Sequence, residues 1–330
     1  MKSYKSIALS FCLSVVSLLI AWLGFEVFCR LVVDNGMHYH LEMWKYAKVL
    51  KEISDDPEIG HRHIPNTQAY LMGVNVKINA DGLRDDPTSL ASDELRVLML
   101  GDSITLGWGV PHAQTVSAYL ERNLESRLGQ PVDVINAGVG NYNTAMEVAW
   151  FFKHGIVYEP DVIILNVFIN DAEPMPIYKP IGFWERLLYS RVILIGAWDT
   201  ISRTLFGGPS WDTYYRDLYA DDSQAMQEMQ AAIARLANFS REKDVPLVIV
   251  IYPELRELNP YPFPEVVEKL HQIAQAHGIQ SVSLLPAVEL EKPSSLWVTP
   301  PDPHPNAFAA ELMSSYLTPR LLDFLSLNPK

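Results

Sequence analysis

From Asp93 to the C-terminus, strand-length apolar runs alternate with stretches of helical periodicity. No other feature limits the fold as much. The strand segments read as Arg96–Leu100, Val132–Asn136, Val162–Val167, Pro246–Tyr252 and Gln280–Leu284. Val162–Val167 is nearly all apolar, as suits a strand covered on both faces. The periodicity predicts helices over Thr115–Leu128, Thr144–Gly155, Asp222–Glu242 and Pro264–His277, and from near Asn306 to about Phe324. Gly129 and Gly278 stand where helices stop, and Pro264 suits a first turn. Met226, Met229, Ile233 and Leu236 recur at helical spacing and read as core, not as cofactor contacts. Five short strands separated by helices make a parallel sheet wound on both faces. Sites in such sheets lie beyond the C-terminal ends of the strands.

The N-terminus reads differently. Ile7–Phe25 is 19 residues without a charge, about 28 Å as a helix and close to one bilayer core. Lys2 and Lys5 precede it, which puts the N-terminus in the cytoplasm and the rest of the chain outside, a periplasmic or other extracytoplasmic location. Trp22, Leu23, Gly24 and Phe25 lack the small-x-small pattern of a cleavage site, favouring an uncleaved signal anchor over a cleaved signal peptide. Glu26 and Arg30 stand one turn apart, spaced to pair at the membrane surface. The only two cysteines, Cys12 and Cys29, lie in or beside this segment. The exported part therefore has no disulfide, no thiol nucleophile and no cysteine metal site. A net charge of −13 gives no basic footprint for nucleic acid and repels polyanions at long range.

Between anchor and sheet, Asp34–Asp55 reads as a juxtamembrane helix with Leu41, Met43, Trp44, Ala47, Leu50 and Ile53 on its apolar face. His38, His40, His61 and His63 have no carboxylate–histidine pattern around them and read as solvated or turn histidines. Val74, Val76 and Ile78 alternate as a strand that ends at an Asp81-Gly82 turn. The chain divides into a cytoplasmic tip and anchor (1–33), a juxtamembrane helix and arm (34–92), and a main domain (93–330) carrying a variable insertion at 172–220.

The chemistry centres on Arg96–Gly109, RVLMLGDSITLGWG. A buried strand that ends in a sharp turn tipped by a serine exposes a nucleophile. A serine that caps a helix gives the same local pattern. The GDS triplet at 101–103 resembles block I of the SGNH, or GDSL, hydrolase superfamily. NAGVGNYNT (136–144) resembles block II, FIND (168–171) block III and PDPHPN (301–306) block V. INADGLRD (78–85) resembles the stretch that precedes the domain in membrane-anchored bacterial members, and reads as a strand and arm packed on that domain. The fold expected is α/β, a flavodoxin-like three-layer sandwich with a five-stranded parallel sheet, preceded by one N-terminal transmembrane helix.

The resemblance implies roles. Ser103 is the nucleophile, His304 the base and Asp302 the orienting acid. Ser103, Asn141 and Asn170 supply the oxyanion donors. Gly140, Asp171 and Asp102 are supporting candidates, with Asp171 bracing its loop and Asp102 its turn. The chain departs from the pattern at three places: Asp302 stands two residues before His304 instead of three, Asn141 falls where block II has glycine, and Phe168 replaces the block III glycine. An imidazole held by a backbone carbonyl, as a Ser–His dyad, is the alternative to Asp302. Asparagine tolerates left-handed backbone angles better than most residues. No metal or cofactor is implied.

Three functions fit. The first is a membrane-anchored serine esterase or deacylase acting on O-acyl, chiefly acetyl, esters of exported carbohydrate or envelope lipid through an acyl-serine. The second is an O-acyltransferase using the same serine. The third is a catalytically weak glycan-binding subunit of a membrane assembly. The expected partners are an acylated carbohydrate or lipid substrate and the membrane through residues 7–33, with no nucleic acid. Envelope or polysaccharide-export proteins are further candidates. Phe183–Phe206 is apolar, with Arg186, Arg191 and Arg203 interspersed. Gly196 and Asp199 argue against a second membrane span. A plain packed helix is the first expectation there, and an amphipathic lid the second.

Overall fold

The computed structural model describes residues 2–90, 93–176, 181–206, 210–300 and 302–327. Strands β1 (Leu95–Gly101), β2 (Val132–Gly138), β3 (Val162–Val167), β4 (Leu247–Ile251) and β5 (Gln280–Ser283) form one sheet in the order β2-β1-β3-β4-β5. Every pairing is parallel. The helices are α1 (Lys2–Phe28), α2 (Tyr39–Val49), α3 (Ser103–Leu106), α4 (Val116–Leu128), α5 (Thr144–Trp150), α6 (Tyr189–Phe206), α7 (Trp211–Leu218), α8 (Gln224–Lys243), α9 (Pro264–Ala276) and α10 (Ala307–Leu327). The five strands match their sequence-predicted positions to within two residues at either end.

Alternate strand residues face opposite layers, as a period of two requires. Leu98, Leu100, Ile163 and Leu165 pack with α5, α8 and α9. Val97, Met99, Val162 and Ile164 pack with α4 and α10. All are nearly inaccessible to solvent. Each such side chain contributes about 1.5–3 kcal/mol of transfer free energy, so the sheet edge that carries the site rests on two full cores. The chain is α/β in three layers, with the expected parallel sheet.

Helix α1 runs on through a π turn, Cys29–Val33. Among the described residues it is the one helix long and apolar enough to cross a membrane. Arg30 Nε lies 2.8 Å from Glu26 Oε1, the pair that the spacing suggested.

The arm departs from its sequence reading in two ways. The helix expected over Asp34–Asp55 is shorter, α2, and Lys51–Ile53 is instead a strand paired antiparallel with His61–His63. Its buried face also carries Glu42 and Tyr46 beside Leu41, because Lys45 Nζ meets the Glu42 carboxylate at 2.8 Å and the Tyr46 hydroxyl has partners described below. Ile53 is exposed instead. The second departure is larger: His61 and His63 are buried, not solvated. Gln68–Leu71 and Val74–Lys77 pair as a hairpin, of which the sequence showed only the second strand. Leu50, Leu71, Met72, Val76 and Ile78 of the arm share a small core with Leu106 and Trp108.

The insertion 172–220, described except for 177–180 and 207–209, holds α6 and α7. Helix α6 is not plainly packed: Leu194, Ile195, Trp198 and Ile201 are all exposed.

Candidate active site

Strand β1 ends at Gly101 and the chain turns directly into α3, whose first residue is Ser103. Asp102 caps that helix, its Oδ1 accepting from the Ile104 N–H at 2.8 Å. The cap is thus the aspartate, and the serine side chain is left for other contacts. The turn is clasped from both neighbouring strands. Asn136 Nδ2 of β2 donates to Thr105 O at 2.8 Å. Asn166 Nδ2 of β3 donates to Leu100 O at 2.9 Å and to Thr105 Oγ1 at 3.0 Å. At Gly138 a Cβ would sit 2.2 Å from the Leu106 nitrogen, so α3 presses onto the end of β2 only because that residue has no side chain.

Ser103 Oγ lies 2.9 Å from His304 Nε2. His304 Nδ1 lies 2.5 Å from Asp302 Oδ1. Asp302 Oδ2 accepts from Trp108 Nε1 at 3.0 Å. The shortened Asp–His spacing is accommodated because Asp302–Pro305 is a short extended strand paired with Trp297–Thr299; residues two apart on a strand share a face. Burial alone would raise the Asp302 pKa, but hydrogen bonds from His304 and Trp108 and the His304 charge overcome it and hold the carboxyl below its usual value. A carboxylate, an imidazole and a serine hydroxyl in line are the parts of a nucleophile with its base and orienter.

Asn141 lies at φ +68°. That left-handed conformation costs an ordinary L-residue about 1–2 kcal/mol, and asparagine visits it more readily than most. Its N–H has no acceptor among the described residues. Ser103, Asn141, Asn170 and His304 all line one pocket of about 180 Å³, walled also by Tyr39, Met43, Phe168 and Tyr215. All four block residues thus meet at the C-terminal edge of the sheet. Asp171 Oδ2 accepts from the Phe168 N–H at 3.0 Å, closing the block III loop on itself.

Behind the serine stands a second set of acids. Asp102 Oδ2 is 3.4 Å from Ser103 Oγ. Burial raises its pKa, while the Ile104 N–H, the His304 charge and the Asn170 side chain draw it back. Asp171 and Glu147 are raised further, first by burial and then by the neighbouring carboxylates.

The arm supplies contacts that the motifs did not reveal. The Arg84 guanidinium is buried and donates to Leu106 O at 2.9 Å, Gly107 O at 2.5 Å and Val110 O at 2.6 Å. Tyr46 Oη accepts from the Gly140 N–H at 2.9 Å and lies 2.7 Å from His63 Nε2. Lys51 Nζ, also buried, donates to Gly140 O at 3.1 Å and Asn141 Oδ1 at 3.0 Å. Burial pushes the Lys51 amine down to about 7. Burial and the Lys51 charge push His61 down to about 3. An asparagine inside an otherwise apolar strand was a readable signal for Asn166, since a buried amide needs partners. Lys51 and His61 offered no such signal.

The GDSL-like lipase/acylhydrolase family model matches residues 99–312, more than half of the chain. No curated protein matches. Among solved structures, the chain is similar to the lipase/acylhydrolase from Enterococcus faecalis, at 15% identity, covering 68% of this chain and 94% of that one with a TM-score of 0.42. It is similar to an acetylxylan esterase from Geobacillus stearothermophilus, at 15% identity, with 72% and 96% covered and a TM-score of 0.44. A two-domain esterase active on acetylated mannans shows 16% identity, with 72% of this chain and 51% of that chain covered and a TM-score of 0.44.

Proposed function

Because the chain belongs to the GDSL-like lipase/acylhydrolase family and so hydrolyses ester bonds, we propose that it is a membrane-anchored serine esterase that removes short acyl groups through an acyl-serine. The observation that carries this reading is the continuous line Ser103–His304–Asp302, with contacts of 2.9 and 2.5 Å. His304 takes the Ser103 proton as Oγ attacks the ester carbonyl. The N–H groups of Ser103 and Asn141 and the Asn170 amide hold the oxyanion. The tetrahedral intermediate collapses as His304 protonates the leaving alkoxide. A water molecule, deprotonated by His304, then releases the acid and restores the serine.

The pocket supports a small acyl group. Its volume of about 180 Å³ falls below the roughly 300–1,000 Å³ usual for drug-sized ligands, which suits acetyl better than a long chain. Tyr39 and Tyr215 on its walls suit the face of a sugar or the rim of a glycolipid headgroup. Helix α1 serves as the anchor, with Lys2 and Lys5 on the cytoplasmic side and the site in the periplasm. The substrate class is an O-acylated carbohydrate or lipid of the envelope.

Fluorophosphonate labelling of the full chain, against Ser103→Ala, tests the nucleophile. The wild type should label and the variant should not. p-Nitrophenyl acetate should be turned over faster than the decanoate. Labelling equal to that of the variant would defeat the serine mechanism, and a preference for decanoate would defeat the short-acyl reading.

A further inference from the structure

Helix α6 carries its apolar stripe on the outside. Leu194, Ile195, Trp198 and Ile201 recur at three- and four-residue spacing and are 47–63% exposed, while Gly196 on the opposite face packs on His40 of α2. Phe183 and Trp184, just before the helix, are more exposed still, at 70% and 71%. This face is tied to the end of the apolar span. Glu26 accepts the N–H groups of Tyr189 and Ser190, at 3.1 and 2.8 Å, and Arg30 donates to Leu187 O. Cations gather at the same place: Arg30 stacks on Tyr189 and Lys48 on Trp44. Outward apolar and aromatic side chains beside basic ones, continuous with a spanning helix, are the make-up of an interfacial element.

We propose that α6 and Phe183–Trp184 lie in the headgroup layer of the bilayer that α1 crosses, holding the Ser103 pocket at the membrane surface. The proposal rests on α1 being a span. The chain length agrees with it. Tyr39 walls the pocket only six residues after Val33, where the span ends, and six extended residues reach at most about 20 Å. The ester that reaches the site is therefore one displayed at that surface, on a lipid or a lipid-linked glycan.

The test uses the full chain with Cys12→Ser and Cys29→Ala, reconstituted into phosphatidylethanolamine–phosphatidylglycerol vesicles. A nitrobenzoxadiazole label at Ile195→Cys is compared with one at Leu290→Cys, which is 90% exposed in a loop. The label at 195 should emit at shorter wavelength and be quenched by brominated lipid. The label at 290 should be quenched by aqueous iodide. If 195 behaves like 290 while the protein stays with the vesicles, the proposal fails and the anchor stands. If alkaline carbonate strips the whole chain from the vesicles, the anchor fails, and the proposal with it.

A separate observation concerns the oxyanion loop. Lys51 and His61 Nε2 each lie 3.1 Å from Gly140 O. In a trans peptide the carbonyl and the following N–H point opposite ways. Gripping Gly140 O thus fixes the direction of the Asn141 N–H, which belongs to the same peptide plane. Lys51 also holds Asn141 Oδ1, the side chain of the residue at positive φ. We infer that Lys51, outside the stretch matched by the family model, is a positioning residue that aims the Asn141 N–H into the pocket, doing with a side chain what glycine does by its freedom. This rests on Asn141 as an oxyanion donor.

Lys51→Met should lower kcat by about 10²-fold, the scale of one lost oxyanion donor, with KM nearly unchanged. The double variant Lys51→Met/Asn141→Gly should be at least about fivefold faster than Lys51→Met alone, because glycine needs no anchor at positive φ. A purely structural role would lower the thermal midpoint and leave kcat per folded molecule unchanged, which would overturn the inference. So would losses in the double variant that multiply. If Lys51→Met does not fold, Lys51→Gln, which keeps a donor group at that position, is read in the same cycle. A fully active Ser103→Ala would instead defeat the underlying mechanism.

Discussion

Asp302 and Glu147 are both carboxylic acids with about 1% of their surface exposed, and the protein drives them in opposite directions. Asp302 meets His304 Nδ1 and the Trp108 N–H, and is held below its usual pKa despite burial. Glu147 has neither oxygen hydrogen-bonded among the described residues and faces Asp171 and Asp102, so burial and like charge push it far up. Burial is common to both; the partners decide. One acid is kept ionised in front of the imidazole, and behind the serine Glu147 and Asp171 are pushed towards the neutral form. The two sides thus make one electrostatic arrangement, and each can be perturbed separately.

The front side breaks first. Asp302→Asn should lower kcat on p-nitrophenyl acetate by about 10⁴-fold, since the amide cannot hold the required imidazole tautomer. A loss under about tenfold would show that a backbone carbonyl suffices as the orienter. Asn170→Ala removes one of the proposed oxyanion donors and should cost about 10²–10³-fold, with fluorophosphonate labelling slowed but not abolished. Trp108→Phe removes one hydrogen bond to Asp302. A bond to a charged group is worth about 1.5–3 kcal/mol at most, so a fall of about 10–10²-fold in kcat is expected, short of the Asp302 effect. If Trp108→Phe matched Asp302→Asn, the indole and not the imidazole would be the partner that fixes the carboxylate.

The two sides also differ in how readable they were. The runs of β1 and β3 and the residues GDS, FIND and PDPHPN could be placed on one edge because chain order fixes where each strand ends. The arm could not be placed that way. His61 and His63 read as solvated or turn histidines, and nothing in the local pattern marks Lys51 or the Arg84 guanidinium as buried, since burying such groups costs several kcal/mol unless partners exist. Those partners are backbone carbonyls of other segments: Gly140 for Lys51 and His61, Leu106 and Gly107 for Arg84, and Gly82, in the turn at the far end of the arm, for His63. The same limit misplaced the buried face of α2, where counting apolar residues passed over Glu42 and Tyr46. Local pattern reports the apolar half of a fold. The polar half depends on contacts between segments far apart in sequence.

The rear acids give the smallest effect and the sharpest sign. Glu147 has a folded-state pKa above its unfolded value. From the unfolded pKa upward the folded state therefore binds more protons than the unfolded state, and stability falls as pH rises towards the folded pKa. Glu147→Gln removes that titration. The drop in thermal midpoint between pH 5 and pH 8 should be smaller in the variant than in the wild type, whatever the absolute midpoint at either pH. The reverse sign holds for Asp302, whose lowered pKa makes its contribution present at neutral pH and lost only as pH falls through the folded value. Asp302→Asn should accordingly flatten the acid side of the stability profile and leave the pH 5–8 slope alone. If Glu147→Gln left that slope unchanged, the carboxyl would be ionised in the folded protein, and a cation or solvent path to it would have to exist behind Ser103.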